Sequence, residues 1–134
     1  MIIMEDLKGK FIVSEEIDEK RIRELVERSL PFFRVSKSGE VIIDKSELSS
    51  LEKVKASLVA RFLAHKLDSG ISPEVNAEEL SGYLMIPKNQ VAARLKELGD
   101  EKFAFRVRRG IYSVNPSRIE DFLNDLENEY GAGK

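Results

Sequence analysis

The sequence predicts an α+β fold in which short helices and two-stranded ribbons gather on one long helix, and three observations carry that expectation. Apolar residues recur at helical spacing in five segments, two further segments carry β-rich runs on either side of a glycine, and capping residues stand where helical spacing begins. In chain order, residues 10–13, "KFIV", read as a short strand. A helix follows at about 18–30, capped by Asp18, with Ile22, Leu25, Val26 and Ser29 on its inner stripe and Pro31 at its end. Residues 32–44 place two β-rich runs around Ser38-Gly39, the pattern of a hairpin. Ser49 and Glu52 have capping-box spacing before residues 50–67, whose Leu51, Val54, Leu58, Val59, Phe62 and Leu63 form the widest apolar face in the chain. The core is expected on this helix.

"DSGISPEV" then breaks the helix and runs extended, and Asn76 with Glu79 repeats the capping spacing before a two-turn helix, "AEELSGYL". Pro87 opens another helix over 87–99, at a position where its missing N–H costs nothing. In "KFAFRVRRGIYSVNP", Phe103, Phe105 and Val107 are expected to alternate inward, Gly110 permits a tight reversal, and residues 111–114 run back. Asn115 and Pro116 begin a last helix whose Ile119, Phe122, Leu123, Leu126 and Tyr130 keep helical spacing. That stripe suits either packing on its own core or a homodimer through this C-terminal helix. The helix and hairpin of residues 1–45 are each too small to stand alone, so this strand-helix-hairpin extension is expected to pack on the long helix. The main domain is expected at 46–115, and a C-terminal amphipathic helix with a short tail at 116–134.

Composition sets the frame. Hydrophobic residues at 42% and charged ones at 34% of 134 describe a folded, water-soluble chain. No apolar run reaches bilayer length, and acids directly follow the short apolar stretch of "MIIMEDLKGK", which does not read as a signal peptide. Without cysteine there is no disulfide framework, thiolate metal site or Cys nucleophile, and a cytoplasmic address with no membrane partner is the expectation. The Glu, Lys and Arg content suits a thermophile. Net charge is −2, but residues 88–109 hold seven cations against three acids, so that segment carries +4 and the remainder −6. A basic island on an acidic body fits a directional anionic partner.

The stretch "NAEELSGYLMIPKNQVAARLKELGDEKFAFRVRRGIYSVNP" (76–115) resembles the winged helix-turn-helix family of transcriptional regulators, and the likeness extends over about residues 50–115. An apolar-anchored helix, an "IP" turn, a helix ending "RLKEL" and a basic hairpin carry the resemblance. The closing "YSVNP" is similar to small archaeal regulators of this type. The resemblance implies a winged helix-turn-helix domain that binds double-stranded DNA in transcriptional control, with no cofactor. The chain departs from the family pattern at Met85 in the turn and at Lys102 after the second helix, where glycine is common. The ribbon is short for a wing that reaches deep into a minor groove.

Elementary chemistry points the same way. A helix fits the B-DNA major groove, where Asn or Gln reads adenine and Arg or Lys reads guanine. With Val91, Leu95 and Leu98 inward, a helical wheel turns Asn89, Ala93 and Lys96 outward, flanked by Gln90 and Glu97. Ala93 is small enough to touch a thymine methyl, Lys88 lies at a helix start that favours phosphate, and Arg94 is placed as a phosphate clamp. Arg106, Arg108 and Arg109 put charge at the hairpin tip. Exposed helix faces are commonly charged in any case, and winged helices also dock on proteins, so a protein-interaction module of a transcription or replication assembly is the alternative reading.

Enzyme chemistry has no residue to rest on. His65 is the single histidine, Ser57 and Ser81 lack a base, and Glu15-Glu16 and Glu78-Glu79 are adjacent in sequence and do not face across a substrate. Gly39, Gly70 and Gly110 belong to turns, with no Gly-rich phosphate loop, and no site for a small-molecule effector or a metal is visible.

Overall fold

The computed structural model describes residues 3–12 and 18–131; Val13, Glu15, Glu16 and the last three residues lie outside these. Among the described residues the chain is α+β. It runs α1 (Met4–Phe11), α2 (Glu19–Ser29), β1 (Phe33–Val35), β2 (Val41–Ile43), α3 (Ser50–Leu67), α4 (Ala77–Leu84), α5 (Lys88–Asp100), β3 (Ala104–Arg108), β4 (Ile111–Val114) and, after a 3-10 turn, α6 (Ile119–Tyr130). The strands form two separate antiparallel hairpins.

α3 begins with both arms of a capping box: the Ser49 hydroxyl accepts the Glu52 N–H at 3.1 Å, and the Glu52 carboxylate accepts the Ser49 N–H at 2.8 Å. Residues 56–61 are buried without a break, so the middle of α3 is enclosed on every side. Ile22 and Leu25 of α2, Phe32, Phe33 and Val41 around the first hairpin, and Leu80, Val91, Leu95 and Leu98 of α4 and α5 share one core with it. α6 packs beside α2. Its Ile119, Phe122, Leu123 and Leu126 are all buried, and Phe122 meets Phe103 edge-on at 5.7 Å. The apolar stripe of the C-terminal helix is therefore covered within the single chain.

Two expectations need correction. Residues 10–12 are not a strand: Lys10 and Phe11 end α1, because the four-residue spacing of Ile3, Leu7 and Phe11 continues a helical period up to Ile12. Phe105 and Val107 do not point inward either; they are 47% and 44% exposed. Lys102 adopts φ 67°, its N–H bonds to the Gly99 carbonyl, and the Phe103 N–H reaches back to the Leu98 carbonyl. This Schellman ending turns Phe103 inward as part of the helix terminus. Ala104 then takes the core face opposite Val114, which leaves Phe105 opposite Ser113 on the outer one. A register irregularity between Arg106 and Arg108 puts Val107 outside the ladder.

Candidate functional site

The face formed by α5 and the second hairpin is positioned from beneath by Arg61, which sequence reasoning passed over. This α3 arginine is buried, and its guanidinium donates to the Ser72 carbonyl at 2.6 Å, the Glu74 carbonyl at 3.2 Å and the Glu79 carboxylate at 2.7 Å. Tyr83 donates to the same carboxylate at 2.7 Å. Burial, with Glu79 beside it, pushes the Tyr83 hydroxyl up to about 12, so it stays a donor at any ordinary pH. The sequence did contain the signal: Val54, Leu58 and Arg61 share one helical stripe, and a cation on an inner stripe needs carbonyls and a carboxylate around it. The cluster ties the 72–74 segment and α4 to α3. His65 supports the same segment through its Nδ1, 2.8 Å from the Ile71 carbonyl.

α4 hands over to α5 through Met85, whose φ of 58° is left-handed and whose N–H bonds to the Ser81 carbonyl at 3.0 Å. Ile86 is buried behind the turn, its carbonyl accepting from the Ser81 hydroxyl at 2.6 Å, and Pro87 is the N-cap of α5. Met85 and Lys102, the two positions where the resemblance would put glycine, are thus both left-handed. They are the two non-glycine residues with positive φ among those described.

With Val91, Leu95 and Leu98 buried, α5 leaves Lys88, Asn89, Ala93, Lys96 and Glu97 exposed, and Gln90 and Arg94 half-buried. Arg106 lies on β3 opposite Tyr112, Arg108 opposite Ile111, and Arg109 precedes Gly110 in the reversal, where φ is 75°. Arg106 is thus in the ladder, set back from the tip. The end of α5 and the hairpin bound an open groove of about 730 Å³, lined by Lys96, Lys102, Arg106, Asp100 and Tyr112. Gly99 shapes it, since a Cβ there would stand 3.2 Å from the Tyr112 ring. Val75 pairs with Tyr112 in both directions and holds β4 to the body.

Four of the seven cations face carboxylates: Lys88 to Glu78 at 3.7 Å, Arg94 to Glu97 at 3.1 Å, Lys96 to Asp100 at 3.6 Å and Arg108 to Glu74 at 2.9 Å. Glu74 and Glu78 come from outside the basic segment, and including them lowers its +4 to +2. Lys102, Arg106 and Arg109 have no carboxylate partner among the described residues. Arg94 also keeps its Nε buried with no hydrogen-bond partner among the described residues. No group of three or more metal-ligating side chains is assembled among the described residues, and no helix there is long and apolar enough to cross a membrane. No family model matches the chain, and neither a curated protein nor a solved structure matches it.

Proposed function

We propose that the chain is a winged-helix regulator that binds duplex DNA, with α5 laid in the major groove and the β3–β4 hairpin on the adjoining backbone. One observation carries the reading: the exposed face of α5 that holds Asn89, Ala93 and Lys96 runs into the groove where Lys102 and Arg106 make no ion pair among the described residues, although Asp100 lines the same groove. Amides and a small side chain at the centre suit base edges, and unpaired cations at the margin suit phosphates. The ion pairs of Lys88, Lys96 and Arg108 are exposed and each is worth at most about 1 kcal/mol, so a phosphate displaces the carboxylate at little cost. In this scheme Lys88, Arg94, Arg106, Arg108 and Arg109 hold backbone, while Asn89, Gln90, Ala93 and Lys96 face bases.

The test is to select a preferred duplex from a random pool and titrate it and a scrambled duplex with wild type, Asn89→Ala and Gln90→Ala. Each substitution is expected to remove about 1–3 kcal/mol on the preferred site and to leave the scrambled one nearly unchanged. Equal weakening on both duplexes would remove the base-reading role.

A second reading has its own observation. Phe105, Val107 and, at 86% exposed, Met85 leave apolar side chains in water near this face, the composition of a protein-docking surface. Phe105→Ser with Val107→Ser separates the two, since it removes a protein contact and leaves duplex affinity in place.

A further inference from the structure

We infer that Glu74 is an autoinhibitory latch on the duplex-binding face: in the free chain it holds Arg108, and DNA gains that arginine only by displacing the carboxylate. The inference rests on the reading of α5 and the hairpin as that face. The hairpin arginines are not equivalent. Arg106 lies opposite Tyr112, lines the groove beside α5 and makes no ion pair among the described residues. From Arg106 to Arg108 the chain then advances two residues while its partner strand advances one, from Tyr112 to Ile111. Such an irregularity re-aims the side chain that follows it, because strand alternation no longer keeps Arg108 on the face of Arg106. Arg108 does not line the groove, and its terminal nitrogen donates to the Glu74 carboxylate at 2.9 Å.

Glu74 is held in place for this contact. Its carbonyl accepts from the buried Arg61 at 3.2 Å, and its N–H donates to the Ser72 hydroxyl at 3.1 Å. The next residue, Val75, is bonded to Tyr112 of β4 in both directions. The backbone that carries the carboxylate is therefore fixed to α3 on one side and to the hairpin on the other, and the pair orders little beyond two side chains. Glu78 and Lys88 supply the comparison. Their contact is 3.7 Å long and Glu78 is 81% exposed, against 32% for the Glu74 side chain. Glu74 is thus the stronger competitor for a phosphate. Because phosphate contacts carry no sequence information, the latch lowers affinity for every duplex alike.

The test is a double-mutant cycle in duplex affinity, read by fluorescence anisotropy at two salt concentrations on wild type, Glu74→Gln, Arg108→Ala and the double variant. At low salt Glu74→Gln is expected to bind the preferred and the scrambled duplex roughly two- to fivefold more tightly, and the gain should shrink as salt rises. In the Arg108→Ala background most of that gain should vanish, since the carboxylate then has no arginine to withhold. Glu74→Ala, which cannot hold the guanidinium through a side-chain amide, should gain at least as much. Both variants should melt near wild type, because Arg61 bonds the carbonyl of residue 74 and any side chain keeps it. An equal gain with and without Arg108 would mean that Glu74 acts only through its long-range field, and would overturn the latch. Unchanged or weaker binding by both Glu74 variants, beside a wild type that binds duplex, would overturn it and leave the DNA reading standing. A wild type that binds no duplex removes both.

Discussion

The seam between α2 and α6 and the face of α5 with its hairpin use the same side chains for opposite ends. At the seam, Arg28 grips both oxygens of Glu127, from Nε at 3.0 Å and from its terminal nitrogen at 2.8 Å, and the same nitrogen reaches Asn124 at 2.6 Å. Arg21 pairs with Glu120 alongside. These arginines have been matched by acids one helix away, and the bidentate geometry sits over buried Ile119 and Leu123, so charge there is architecture. On α5 and the hairpin the pairs are single, longer or absent, and the side chains of Lys88, Lys96 and Arg108 lie largely in water. The count of cations is therefore a poor guide to where a partner binds. Whether the chain has already supplied the anion decides it.

Each arginine can be removed to sharpen that contrast. The largest effect is expected inside: Arg61→Ala leaves the Ser72 and Glu74 carbonyls without this donor and the Glu79 carboxylate without its cation, held by the Tyr83 hydroxyl alone, and should cost about 3 kcal/mol, read as a lower urea midpoint. At the seam, Arg28→Ala should cost about 1 kcal/mol, since its guanidinium is mostly shielded while Glu127 remains in water. Lys102→Gly should act in the opposite direction. The left-handed backbone there strains any side chain, and relief of that strain less the added freedom of the unfolded chain is expected to stabilise by up to about 1 kcal/mol. A Lys102→Gly variant that melts lower would contradict the Schellman reading.

The smallest effect is on acid. Hydrogen bonds from Arg21 and Arg28 hold Glu120 and Glu127 below the ordinary glutamate value of 4.5, and Arg34 does the same for Asp44. Because the folded values are the lower ones, this stabilisation is complete above the unfolded values and is lost as pH falls through the folded values. Wild type should lose stability between about pH 5 and about pH 3, and Arg28→Ala should lose less over that range, measured by urea midpoints. Identical pH profiles would show that the seam contributes nothing.

Much of the fold was legible because caps and periods are local. Asp18, Ser49 with Glu52, and Asn76 each cap the helix their spacing implies, and the inner residues of α2, α5 and α6 follow a single period. The errors arose where the deciding contact is not local. The outward turn of Phe105 depends on the left-handed backbone three residues earlier, and no alternation pattern contains that information. The exposed residues of α5 could be read from a helical wheel. Their neutralisation could not, because Glu74 and Glu78 belong to segments that only the fold brings near Arg108 and Lys88.

The central claim, that the α5–hairpin face is the one where cations await an anion, is tested most directly by duplex affinity against salt concentration. Wild type, Arg106→Ala with Arg109→Ala, and Arg21→Ala with Arg28→Ala would be titrated by fluorescence anisotropy beside a melting curve for each. The account predicts that the hairpin pair flattens the log–log salt slope by roughly two units and melts like wild type, while the seam pair keeps the slope and melts lower. Equal slopes for all three proteins, or a wild type that binds no duplex at low salt, would contradict it.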